Sequence, residues 1–122
     1  MKKVFLIVMC CFIVLLCGCV NDQKPSFEVS NDEILEKFLS ENNYIIVDIR
    51  TEAEYEAEHV IGAIHIPYEE INDETMNLYK DKTILIYCQD GDESSIACTT
   101  LREQGYETFD LGTYDAVTLE KE

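Results

Sequence analysis

Apolar positions change period along this chain, and the changes mark its elements. In "SNDEILEKFLSE", Ile34, Leu35, Phe38 and Leu39 recur at helical spacing, and Ser30 with Glu33 three residues later forms a capping box that opens the helix. "YIIVDI", Tyr44 to Ile49, is a continuous β-branched run and predicts a strand buried on both faces. "TEAEYEAEH" carries a second capping box, Thr51 with Glu54, and predicts a short helix. "AIHI", Ala63 to Ile66, predicts a short strand stopped by Pro67, and "EEINDETMNLY" predicts a helix. "TILIYC", Thr83 to Cys88, is the second strong strand. "SSIACTTLREQG" predicts a helix closed by Gly105, followed by the strand "ETFDL" and a terminal helix over "YDAVTLEKE". Strands alternating with helices predict an α/β domain, a mainly parallel central sheet flanked by helices on both faces.

The first twenty residues break this pattern. Lys2 and Lys3 precede an unbroken apolar run, "VFLIVMCCFIVLLC", from Val4 to Cys17, the basic head and apolar region of an export signal. The run ends in "LCGC", Leu16 to Cys19, which resembles the bacterial lipobox. The resemblance implies diacylglycerol on the Cys19 thiol and cleavage after Gly18. The chain then divides into a lipoprotein signal peptide over 1–18, a lipidated tether over 19–26 and a domain over 27–122. An uncleaved anchor is the alternative, since Val4 to Val20 is seventeen residues, the lower limit for a spanning helix. Either reading places the domain at a bacterial cell membrane, facing outside the cytoplasm. "NDQKPS", Asn21 to Ser26, is a polar tether that lets the domain stand off that surface.

Composition narrows the function. The 122 residues carry 25 acids against 9 bases, a net charge of −16, and removing the leader takes away only lysines. Such a surface repels nucleic-acid backbones, so nucleic-acid partners are excluded. Of six cysteines, Cys10, Cys11 and Cys17 leave with the signal and Cys19 takes lipid, so only Cys88 and Cys98 stand within the domain. A disulfide between them is one possibility in an exported protein. Cys88 ends the strongest strand and precedes a loop and a helix, the position at which α/β sheets place their chemistry. The loop "QDGDES" that follows holds Asp90, Asp92 and Glu93, whereas a reactive thiolate wants positive potential around it.

Two stretches carry a family resemblance. "DIRTEAEYEAEHVIGAIHIPYEEI", Asp48 to Ile71, is similar to the opening signature of rhodanese-like domains: Asp48-x-Arg50, an acidic helix, His59, Gly62-Ala63 and Pro67. "ILIYCQDGDESSIACTTLREQGYETFDLGTYDAV", Ile84 to Val117, resembles the second half, with strand, cysteine, loop, helix and final strand in order. The resemblance implies a three-layer rhodanese-like domain and sulfur transfer, with Cys88 as the nucleophile that holds sulfur as a persulfide. It further implies that Gln89, Asp90, Gly91, Asp92, Glu93 and Ser94 bind the donor through an amide cradle. Gly91 lets the loop turn, and Ser94 matches the position that often caps the helix. Partners would be a small sulfur donor and a thiol acceptor, with no cofactor.

The chain departs from that pattern where charge matters. Common thiosulfate-using members carry cations just after the cysteine and at the fifth loop position; here those residues are Gln89 and Glu93. A carboxylate roughly 7 Å from a thiolate repels it by about 0.6 kcal/mol in water and about 2.4 kcal/mol at an effective dielectric of ~20. A helix terminus returns at most about 2 kcal/mol. The expectation is that these side chains point to solvent, that the amides face the sulfur, and that thiosulfate is a poor donor. The arginine that phosphatase relatives of this fold place six residues after the cysteine is here Ser94, and the family's late Gly-Gly and tryptophan are Gly112-Thr113 and Val117.

Blander roles are expected elsewhere. Asp48 and Arg50 fix their neighbouring loop rather than line a pocket, and His59 is structural. His65 faces away from Ile64 and Ile66, and no spacing of His or Cys suggests a metal. Cys98 reads as a small buried residue. Two functions of other classes stay open: a non-catalytic binding module whose acidic face docks a basic protein partner, and a thiol redox protein using Cys88 and Cys98.

Overall fold

The computed structural model describes residues 31–122. The expected signal peptide, lipidation at Cys19, tether and Ser30 cap all fall outside the described residues. Helix α1 spans Asn31–Glu41, strand β1 Tyr44–Asp48, helix α2 Glu52–Ala57 and strand β2 Ile64–His65. Helix α3 (Asp73–Met76), strand β3 (Thr83–Cys88), helix α4 (Asp92–Glu103) and strand β4 (Glu107–Thr113) follow. The strands form one parallel sheet in the order β2-β1-β3-β4. This is the α/β architecture expected.

Alternation along β3 divides the core in two, because successive side chains of a strand point to opposite faces. Ile84, Ile86 and Cys88 join Val47, Met76, Ala97, Cys98 and Leu101 on the face covered by α3 and α4. Leu85 and Tyr87 join Ile46, Val60 and Val117 on the other, where Leu35, Phe38 and Leu39 of α1 pack. His65 points to this second side and stacks on Tyr55 with ring centroids 4.8 Å apart. Helix α2 starts at the expected cap: the Glu54 N–H donates to Thr51 Oγ1 at 3.3 Å, and the Thr51 N–H to Glu54 Oε2 at 3.0 Å.

Three elements differ from expectation. "EEINDETMNLY" is not one helix: 3₁₀ turns at Tyr68–Glu70 and Asn77–Tyr79 flank α3, because Asn72 accepts the Thr75 N–H and starts a new helix mid-segment. Strand β4 runs on past "ETFDL" to Thr113, with a bulge that lets Gly112 rather than Leu111 oppose Tyr87. The terminal helix is absent beyond a 3₁₀ turn at Tyr114–Ala116. The chain after it is bonded to a distant segment instead: the N–H groups of His59 and Ile61 donate to the carbonyls of Glu122 and Glu120 at 2.9 and 2.8 Å. A helix would leave its last four carbonyls without internal partners, whereas here those of Glu120 and Glu122 are paired, and the Glu122 N–H donates to the His59 carbonyl at 2.8 Å instead of to a helical one.

Candidate active site

Strand β3 delivers Cys88 to its carboxyl end, and the loop to α4 curls over the sulfur. The Gly91 N–H donates to Sγ at 2.9 Å and the Ser94 N–H at 3.4 Å. Gly91 has φ +91°, a left-handed conformation open to glycine without strain, and it is this turn that aims its N–H inward. The twelve-residue helix α4 begins at the next residue, so the Ser94 amide of its first turn and its positive end face the sulfur. An anionic sulfur is what such a nest of N–H groups suits.

Ser94 does not cap the helix. Gly91 occupies the N-cap position, and Ser94, fully buried in the first turn, donates its Oγ hydrogen to the Gly91 carbonyl at 3.1 Å. Of the cradle amides expected from Gln89 to Ser94, those of Gly91 and Ser94 reach the sulfur. The Asp92 N–H turns instead to Asp90 Oδ1 at 3.2 Å. Asp90, Asp92 and Glu93 are all exposed, as expected, but Asp90 also turns one oxygen toward the sulfur. Its Oδ1 lies 3.8 Å from Sγ and accepts the thiol proton. Cys88 itself is 1% exposed.

A pocket of about 330 Å³ adjoins this loop. Ile49, Pro67 and Tyr68 give it apolar walls, and Gln89, Asp90 and Glu93 bring the loop to it. Arg50, Thr51, Glu54 and Glu69 complete the lining. Partial desolvation, together with Asp90, Glu69 and Glu54, raises the Glu93 carboxyl from its ordinary value. Glu54 was legible in the sequence only as a capping residue, and Glu69 only as part of the helix expected over "EEINDETMNLY". The signal that could have drawn them in is their place just after strand ends, where α/β sheets gather their sites.

Arg50 has a part in the pocket as well as in the frame. Its Nη2 donates to Asp48 Oδ2 at 2.7 Å and to the Glu58 carbonyl at 2.6 Å, and its guanidinium lies 4.0 Å over the Tyr114 ring. Tyr87 donates to the same Asp48 oxygen at 2.6 Å and accepts the Val60 N–H at 3.1 Å. Burial pulls the Arg50 guanidinium down, but its bonds and attraction to Asp48 outweigh that and hold it above its ordinary value. Burial, then the bond to Asp48, pushes the Tyr87 hydroxyl up. The expected framing role of Asp48 and Arg50 is therefore present, while Arg50 Nη1 also reaches Gln89 Oε1 at 3.5 Å. His59 donates through Nδ1 to the Tyr55 carbonyl, 2.8 Å away, and sits beside Glu122.

Cys98 is a free thiol packed in the α4 face of the core, 1% exposed. Burial pushes it up to about 11. Cys88 is also free, so no disulfide joins them.

The rhodanese-like domain family model matches residues 31–116. YrkF of Bacillus subtilis, provisionally named a sulfur carrier protein, is 33% identical over 79 residues, which are 65% of this chain and 43% of YrkF. Thiosulfate sulfurtransferase PspE of Escherichia coli is 39% identical over 62 residues, 49% of this chain and 60% of PspE. Both curated relatives are thus matched over less than two thirds of their length. Among solved structures, an Escherichia coli rhodanese with anions superposes with a TM-score of 0.60 at 30% identity, over 65% of this chain and 96% of that one.

Proposed function

We propose that this chain, which belongs to the rhodanese-like domain family, is a membrane-tethered sulfurtransferase that carries sulfur as a persulfide on Cys88. The observation that carries the reading is the seating of Sγ under the Gly91 and Ser94 N–H groups, 2.9 and 3.4 Å away, at the start of α4. The Cys88 thiolate attacks the outer sulfur of a donor R–S–SH. A new S–S bond forms as the donor's own S–S bond breaks, and the thiolate R–S⁻ leaves with that bond's electron pair. An acceptor thiolate then attacks the outer sulfur of the Cys88 persulfide and releases Cys88 as thiolate. No electrons are gained or lost overall, so no redox cofactor enters.

The names of YrkF and PspE support sulfur handling as the general chemistry. Thiosulfate, a dianion, is a poor donor here, because it must approach past Asp90 and Glu93 with no loop cation to receive it. Tethering rests on the "LCGC" ending of the apolar leader, with lipid on Cys19. Replacing Cys19 with serine would release the protein from membranes.

A second reading has one observation in its favour. The carboxylates around the pocket suit a basic protein partner as well as a small donor, and a docking module needs no thiol chemistry. Intact-mass measurement of the full chain in detergent, after exposure to thiosulfate, polysulfide and an organic persulfide, separates the two. One sulfur gained by the native chain and not by Cys88→Ser establishes the transferase. No gain from any donor by the folded protein leaves the docking module.

A further inference from the structure

We infer that the pocket beside Cys88 selects a sulfane-sulfur donor that carries an ammonium group, an amino-persulfide, with Glu69 and Glu93 as the residues that determine this preference. The inference rests on the transferase reading above and adds the substrate class.

Four carboxylates reach this one pocket from separate parts of the chain: Glu54 from α2, Glu69 from the turn after β2, Asp90 from the loop and Glu93 from α4. Arg50 is the one cation in the lining, and Asp48 neutralises it across 2.7 Å from outside the pocket. The net field at the pocket is therefore strongly negative, next to a nucleophile that must itself become an anion. Glu69, Asp90 and Glu93 are exposed, whereas Glu54 is half-buried. Thr51 holds Glu54 Oε2 through its N–H and hydroxyl at 3.0 and 2.9 Å, so that carboxylate is fixed at the rim. Ile49, Pro67 and Tyr68 add the apolar wall that the carbon chain of a small donor would lie along.

A cationic donor resolves the conflict between thiolate and carboxylates. Its ammonium group settles among Glu54, Glu69 and Glu93, and supplies the counter-charge as the proton leaves Cys88. That proton passes to water at the exposed loop. The thiolate displaces the amino-thiolate from the outer sulfur, and this leaving group takes a proton from water. An anionic donor would meet the same residues as a barrier, at both the approach and the bond-forming stage.

Three persulfides of similar size test this: those of cysteamine, 2-mercaptoethanol and mercaptoacetate, which are cationic, neutral and anionic. The rate of sulfur gain at Cys88 is read by intact mass on the full chain in detergent. Each rate is normalised to alkylation of Cys88 by neutral iodoacetamide. The expected order is cationic, neutral, anionic, with a spread on the order of tenfold or more at low salt that narrows as salt screens the field. The double variant Glu69→Gln with Glu93→Gln should flatten the order while still gaining sulfur. Equal rates, an anionic preference, or an order untouched by the double variant would overturn the inference and leave the transferase standing. No sulfur gain from any of the three would sink both.

Discussion

Asp90 Oδ1 lies 3.8 Å from the sulfur of Cys88, two residues earlier in the chain, and accepts its proton. This contact sets a carboxylate against the Gly91 and Ser94 N–H groups, which donate to the same sulfur. Each hydrogen bond to a charged group is worth about 1.5–3 kcal/mol. A carboxylate at this distance opposes an anion by roughly 1 kcal/mol in water and about 4 kcal/mol at an effective dielectric of ~20. The amides win if the carboxylate stays hydrated, as its exposure allows.

Asp90→Asn removes the opposing charge and keeps an oxygen for the Asp92 N–H. Alkylation of Cys88 by iodoacetamide at pH 7 should accelerate by about five- to thirtyfold, the rate equivalent of ~1–2 kcal/mol. An unchanged rate would show that the carboxylate has no hold on the thiol.

Gly91→Ala tests the turn that aims the amide. At φ +91° an alanine costs about 1–2 kcal/mol, and its Cβ would stand 3.4 Å from Thr113 Cγ2. Sulfur gain at Cys88 should fall along with stability. Gly62→Ala, at φ +82° with open space around it, supplies the same backbone strain far from the sulfur and should leave the gain intact. If both variants lose sulfur gain equally, the Gly91 amide is not the cause.

Tyr87→Phe strips one donor from Asp48 and leaves the buried Val60 N–H without its acceptor. Urea denaturation should show a loss of about 1–3 kcal/mol. Asp48→Ala should cost more, about 3–5 kcal/mol, because it strands the Arg50 guanidinium in the interior. Equal losses from the two would argue that the ion pair adds nothing beyond the hydrogen bonds.

Cys98 makes alkaline pH a probe of the core. Burial raises its folded value from 9.0 to about 11, so the folded protein holds this proton more tightly than the unfolded chain. The resulting stabilisation is complete below pH 9 and disappears as pH rises through about 11. Two units correspond to about 2–3 kcal/mol. Stability measured between pH 8 and 11 should therefore fall more steeply in the native chain than in Cys98→Ala. Parallel curves would mean that the thiol titrates as freely in the folded chain as in the unfolded one.

What was legible from the sequence was local or strongly periodic. Thr51 and Glu54 stand three residues apart and cap α2 with little help from the rest of the chain. Thr83 to Cys88 is a β-branched run whose strand has the expected limits, and its final residue fell at the sheet edge where sites gather. Such features depend on neighbours within one turn or one strand. The N-terminal helix was legible on the same terms, while the Asp48-x-Arg50 frame was legible through the family resemblance.

What the tertiary structure decided involved partners far apart in sequence, or a choice between equally good local bonds. Residues 117–122 could have coiled into a helix, but pairing with His59 and Ile61 satisfies the Glu120 and Glu122 carbonyls, which a helix would have left without internal partners. Ser94 has the chemistry of a cap, yet the left-handed turn at Gly91 starts α4 earlier and leaves its hydroxyl inside the first turn. Tyr87 meets Asp48 across 39 residues. Glu54, Glu69 and Glu93 share a pocket because the parallel sheet brings the ends of its strands to one edge. Periodicity assigns each residue to an element. Only the crossing of those elements in space sets which carboxylates meet, and so how much negative charge the Cys88 sulfur faces.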